Sequence, residues 1–108
     1  MTNRRRGEVA IDLAGRRYAL RLTLNALAEI EAALAAPSLA GLGERLAAGG
    51  LRSADLVALL AAAMRGGGAS LADEEVGALV EAGDLASVAE ALAKLFALNF
   101  GNAPPSRP

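Results

Sequence analysis

The chain contains no cysteine and no histidine. The first absence excludes disulfides, thiolate nucleophiles and cysteine-ligated zinc, and it suits a reducing compartment. The second removes the commonest general base and the commonest metal ligand. Tryptophan is also absent, and the aromatic residues are Tyr18, Phe96 and Phe100. A surface that binds single-stranded nucleic acid by stacking bases on rings therefore has nothing to stack on. Long hydrophobic runs are missing too. The longest, Leu56 to Met64, falls well short of the ~20 residues that span a bilayer. No secretory signal pattern is visible, because Glu8 and Asp12 interrupt the apolar run that should follow Arg4 to Arg6. A soluble, cytoplasmic protein without membrane contact is the expectation.

What the chain does have is aliphatic. It is 54% hydrophobic and 3% aromatic over 108 residues, and about a quarter of it is alanine. Alanine favours helix because it loses no side-chain entropy, yet each one buries little area. One small domain with a thin Leu/Ala core follows. Residues 1–100 should form it, and the proline-rich 101–108 should be a disordered tail.

Period-2 alternation opens the fold. Val9, Ile11 and Leu13 alternate with Glu8, Ala10 and Asp12; after Ala14-Gly15, Tyr18, Leu20 and Leu22 alternate with Arg17, Ala19 and Arg21. That pattern predicts a β-hairpin with one apolar face. From Leu24 the spacing becomes helical through Leu27, Ile30 and Leu34, with Asn25 as the expected cap and Pro37 as the stop. A short glycine-weakened helix after Ser38 carries Leu39, Leu42 and Leu46 and halts at Gly49-Gly50. The next has Ser53 as its expected cap, a stripe of Leu56, Leu59, Leu60, Ala63 and Met64, and a flexible end at Gly66-Gly67-Gly68. Ser70 with Asp73 imitates a capping box for a helix ending at Gly83. Asp84 caps a last helix whose inward face is Leu85, Val88, Leu92, Leu95 and Phe96. The fold class is α+β, mostly α: an N-terminal hairpin followed by four to five short helices.

Candidates for chemistry are few. Ser38, Ser53, Ser70 and Ser87 lie at helix starts with no imidazole to activate them. Asp73-Glu74-Glu75 invites a divalent cation, but successive helical positions diverge by ~100°, and first-turn acids complement the helix dipole. The triple glycine lacks the lysine and hydroxyl of a phosphate loop. No catalytic residue, metal site or cofactor is assigned, and the protein is expected not to be an enzyme.

Charge is segregated. Through Leu22 six arginines (4, 5, 6, 16, 17, 21) face Glu8 and Asp12, a net of +4; the remainder carries a net of −5. The basic end reads either as a nucleic-acid patch or as a solvated hairpin face. Apolar residues outside the main stripes, Leu39, Leu51, Leu98 and Phe100, point to a surface for another protein.

Several motifs resemble one family. Gly7-Glu8-Val9 opens the hairpin, Leu20-Arg21-Leu22-Thr23 ends its second strand, and Asn25-Ala26-Leu27-Ala28-Glu29-Ile30-Glu31 enters the helix. These resemble the small tail assembly chaperones of gene transfer agents and related phages. The later order, Leu51 to Leu56 and Ser70 to Gly77, is similar to the same family. Many of its members carry a histidine or tryptophan near the end of the central helix, where this chain has Ala63-Met64-Arg65-Gly66. The resemblance implies a non-catalytic protein that covers a tape-measure protein during tail assembly, with tape-measure or tail tube protein as partner. Self-association is compatible with it. A groove between the central and final helices, using Leu56, Leu60, Leu92 and Phe96, is the candidate binding site, and the same residues also fit an ordinary core. The alternatives are a small nucleic-acid-binding regulator using the arginine-rich hairpin, or a structural tail component.

Overall fold

A computed structural model describes residues 7–34, 39–80 and 84–100. The elements run β1 (Val9–Leu13), β2 (Arg16–Leu20), α1 (Leu24–Leu34), α2 (Leu39–Ala48), α3 (Ser53–Gly66), α4 (Asp73–Leu79) and α5 (Leu85–Phe100). This is the α+β, mostly helical architecture that the change of period at Leu24 predicts. Expectations about Arg4 to Arg6, Ser38, Gly83 and the 101–108 tail lie outside the described residues.

The strands pair antiparallel, Val9 with Leu20, Ile11 with Tyr18 and Leu13 with Arg16. Ala14 and Gly15 form the two-residue turn, both at positive φ (51° and 80°), the backbone whose twist matches a hairpin's. Ile11, Leu13 and Leu20 are buried and Tyr18 is half-buried, so the alternation does face the core. Strand pairing stops at Leu20, two residues before the expected Leu22. The Arg21 N–H instead donates to the Ala63 carbonyl of α3 at 3.0 Å.

Three helix starts depart from the sequence reading, earlier in α1 and α3 and later in α4. Thr23, not Asn25, caps α1: its Oγ1 accepts the Ala26 N–H at 3.1 Å. The chain arrives extended from β2, so the first residue able to turn into helix takes the cap, and Asn25 is already inside the first turn. Ser53 likewise sits inside α3, whose N-cap is Arg52, and the Asp55 carboxylate accepts the Arg52 N–H at 3.4 Å. For α4 the N-cap is Ala72, with Glu75 accepting its N–H at 2.8 Å, so the expected Ser70–Asp73 pair is replaced by a register two residues later. In both helices a first-turn acid reaches back to the cap N–H, which also suits the helix dipole. The α4 helix ends at Leu79, because Val80 turns extended, and it does not reach Gly83.

At the end of α2, Gly49 N–H bonds the Leu46 carbonyl and Gly50 N–H bonds that of Arg45, with Gly49 at φ 75°. That is the left-handed glycine stop the Gly-Gly pair predicts.

The central helix α3 is buried almost all round: Leu59, Leu60, Ala61, Ala62, Ala63 and Met64 form a continuous buried turn and a half. It touches β2, α1, α4 and α5, while α5 also covers α2 and β1. Small side chains at 61–63 explain how so many elements reach one helix axis. Among the described residues no polar or charged side chain is buried. No helix among them is long and apolar enough to cross a membrane.

Candidate functional site

Leu56, Leu60, Leu92 and Phe96 are brought together, as the sequence reading requires, but in the interior. All four are buried members of the one hydrophobic cluster. The expected groove between α3 and α5 is therefore filled by its own lining. A partner could contact these side chains only if the helices separated, at roughly 1.5–3 kcal/mol of lost burial per residue.

Exposed apolar surface lies elsewhere. Leu24 is 84% exposed at the first turn of α1, and Leu98 and Phe100 are each 40% exposed at the end of α5. Leu98 and Phe100 are among the residues the sequence singles out; Leu24 is not, because its position reads as the start of the core stripe. Leu51 packs half-buried against the core. The Phe100 ring leans on Phe96 with centroids 5.6 Å apart, tethering the exposed ring to a buried one.

The arginines of the hairpin are partly engaged. Arg17 donates to both carboxylate oxygens of Asp12, Nε at 3.0 Å, which holds the Asp12 carboxyl below the usual carboxylate range. The Arg16 guanidinium lies over the Tyr18 ring, 5.7 Å from its centroid. Arg21 is exposed.

Arg65 is the residue that sequence reasoning missed. Its Nε donates to Glu29 at 3.1 Å, and its Nη1 donates to the Leu71 carbonyl at 2.8 Å and to Asp73 at 3.0 Å. One side chain thus ties α1, the end of α3 and the start of α4. Glu29 chiefly, and Asp73 with it, hold its guanidinium above the ordinary arginine value. Its partners are 36, 6 and 8 residues away, so no local spacing announces them. Of the three acids considered for a cation, Asp73, Glu74 and Glu75, the first is engaged with Arg65 and the last with the Ala72 N–H. No group of three potential ligands capable of holding a metal ion occurs among the described residues.

Two features frame the hairpin. Asn99 of α5 donates to the Gly7 carbonyl at 3.0 Å, and to that of Leu95 at 2.8 Å, anchoring the start of β1. On the other side Gly66 and Gly67 press against β2 so closely that a Cβ at either would overlap a backbone carbonyl oxygen, of Arg21 and Ala19 respectively. The triple glycine ends α3 as expected, but by close packing rather than as a flexible end.

A family model described as phage tail tube protein, GTA-gp10, matches residues 6–102. The chain belongs to that family. The match covers the hairpin and all five helices. Membership in the GTA-gp10 family supports a structural or assembly role in phage-type tails, and it does not separate a chaperone from a tail component. Comparison with curated proteins and with solved structures gives no match.

Proposed function

We propose that the chain acts in tail assembly without catalysis, as a chaperone that covers apolar stripes of the tape-measure protein before the tail tube forms round it. Membership in the GTA-gp10 family across residues 6–102 supports a role in tail structure or assembly, and the chaperone part of the reading rests on the resemblance of the hairpin and first-helix motifs to tail assembly chaperones. The chemistry of the surface is compatible with it. A long helical partner offers apolar stripes, and a small helical domain with exposed leucines meets them reversibly, with modest affinity per copy and many copies per partner. Leu24, the most exposed large apolar side chain among the described residues, is the proposed anchor, since its contribution to the fold is small.

Co-purification with tape-measure fragments tests the proposal. Leu24→Asp should weaken capture at least about tenfold, equivalent to ~1.4 kcal/mol, with an unchanged far-UV circular dichroism spectrum. Undiminished capture would remove Leu24 as anchor, and absence of capture by the unaltered chain would remove the chaperone reading. The family's description as a tail tube protein favours a second reading, a subunit retained in the tail. Mass spectrometry of purified particles separates the two: a chaperone is absent, and a tube or tail component is present in many copies.

A further inference from the structure

The two edges of the hairpin are not equivalent. In a two-residue hairpin the pair flanking the turn, Leu13 and Arg16, is hydrogen-bonded, so the alternation directs the N–H and C=O of Arg17, Ala19 and Arg21 outward from β2. The Arg21–Ala63 bond and the contacts of Gly66 and Gly67 with the Arg21 and Ala19 carbonyls agree with that assignment and cover this edge. The same alternation turns the N–H and C=O of Ala10 and Asp12 outward from β1. Among the described residues no strand pairs with them; they face an open groove also lined by Ser87, Glu90, Ala91 and Lys94 of α5. An open edge of this kind is a template for another strand.

We propose that this edge pairs with the β1 edge of a second copy, antiparallel about a two-fold axis through Ile11. The register then places Ala10 opposite Asp12 of the second copy, twice, and closes four backbone hydrogen bonds. Because the axis stands perpendicular to the joined sheet, both copies of α5 lie on one face and run antiparallel beside each other. The groove wall supplies the complementarity. Lys94 borders both the Glu8–Ala10 and the Val9–Asp12 stretches, whereas Glu90 borders only the latter. The two-fold therefore sets Lys94 of each copy against Glu90 of the other. Among the described residues neither side chain has an ion-pair partner within its own chain. Ala91, beside the axis, is small enough to admit the neighbouring helix, and Leu98 gains cover at the ends. A patch that complements itself in this way closes at two copies, since the β2 edge is already occupied.

Sedimentation velocity of the full chain over a concentration series tests it. A monomer–dimer equilibrium is expected, and Ala10→Pro should abolish it. That proline replaces an N–H the hairpin does not use, so the circular dichroism should be unchanged. Glu90→Lys and Lys94→Glu should each weaken the dimer at least about tenfold, and the double exchange should restore it to within about threefold. A chain that stays monomeric to about 1 mM overturns the proposal and leaves the edge to a strand from another protein. A dimer indifferent to Ala10→Pro, or a double exchange that fails to restore it, overturns the assigned pairing.

Discussion

The covered and open sides of the hairpin are built from different chemistry. On the β2 side, the Ala63 carbonyl of α3 accepts the N–H of Arg21 just past the strand, and nothing larger than glycine fits at 66 and 67. On the β1 side, α5 stands off behind a groove and presents Glu90 and Lys94. The helix that packs closest is the one with the smallest side chains. The helix that leaves room carries charge. The difference teaches that this thin Leu/Ala core gains its rigidity from backbone approach on one side, and leaves its interaction capacity on the other.

The sharpest way to break the comparison is at the centre of the covered side. Leu60 is fully buried where α3 meets the rest of the core. Leu60→Ala should cost about 3 kcal/mol in urea unfolding, by lost burial and the cavity left behind. Leu60→Asp adds an uncompensated buried carboxylate and should abolish cooperative unfolding, given total stabilities of about 5–15 kcal/mol. A folded Leu60→Asp variant that loses only partner binding would instead return Leu60 to the surface role considered from the sequence.

Gly67→Ala comes next. The added methyl meets the Ala19 carbonyl oxygen, which belongs to a paired strand and cannot swing away as a side chain would. Overpacking of this kind costs about 1–3 kcal/mol, measurable by thermal or urea unfolding. On the open side Gly15 faces nothing, but its φ of 80° still favours glycine, so Gly15→Ala tests backbone strain alone. It should cost about 1–2 kcal/mol.

Much of this division was legible in the sequence, and its limits have physical causes. Alternation along β1 and β2, the change of period at Leu24, the Gly49-Gly50 stop and the inward face of α5 all depend on local spacing, and each is present. The four residues expected to form a groove do converge, but spacing along a helix shows which side chains share a face and not whether another helix already fills it. Arg65 was silent because its partners Glu29 and Asp73 are set by tertiary approach. The caps shifted to Thr23, Arg52 and Ala72 because the chain's path into each helix decides which residue can take that position, and Asn25, Ser53 and Ser70 have suitable side chains in the wrong register. Leu24 opens the helical spacing, and periodicity alone cannot tell a stripe's first residue from an exposed overhang.

Thr23→Ala probes the junction between the two sides. Its hydroxyl satisfies one otherwise free N–H of the α1 first turn, and removing it should cost about 1 kcal/mol in a chemical melt. The Arg21–Ala63 bond is separate, so the amide of Arg21 should remain protected from hydrogen exchange in the variant, relative to those of Ala10 and Asp12 in the monomer. Equal exchange at the two edges would erase the distinction between them.

The smallest effect belongs to the open face itself. The Asp12 carboxyl is held below its ordinary pKa chiefly by the hydrogen bond from Arg17; desolvation opposes this, and the Arg17 charge adds a lesser lowering. A depressed folded value means that the pair's contribution is fully present above the unfolded carboxylate range. It is lost as pH falls through the depressed value. Both partners are well exposed, with side-chain exposures of 70% for Arg17 and 65% for Asp12, so water and salt screen the pair. Thermal melts of the chain and of Asp12→Asn should therefore coincide near pH 7 in moderate salt to within a degree or two. Any gap seen at low salt should close below the carboxylate range. A large gap that persists in high salt would mean that the β1 face is built into the fold as firmly as the β2 edge, and the two sides would no longer differ in kind.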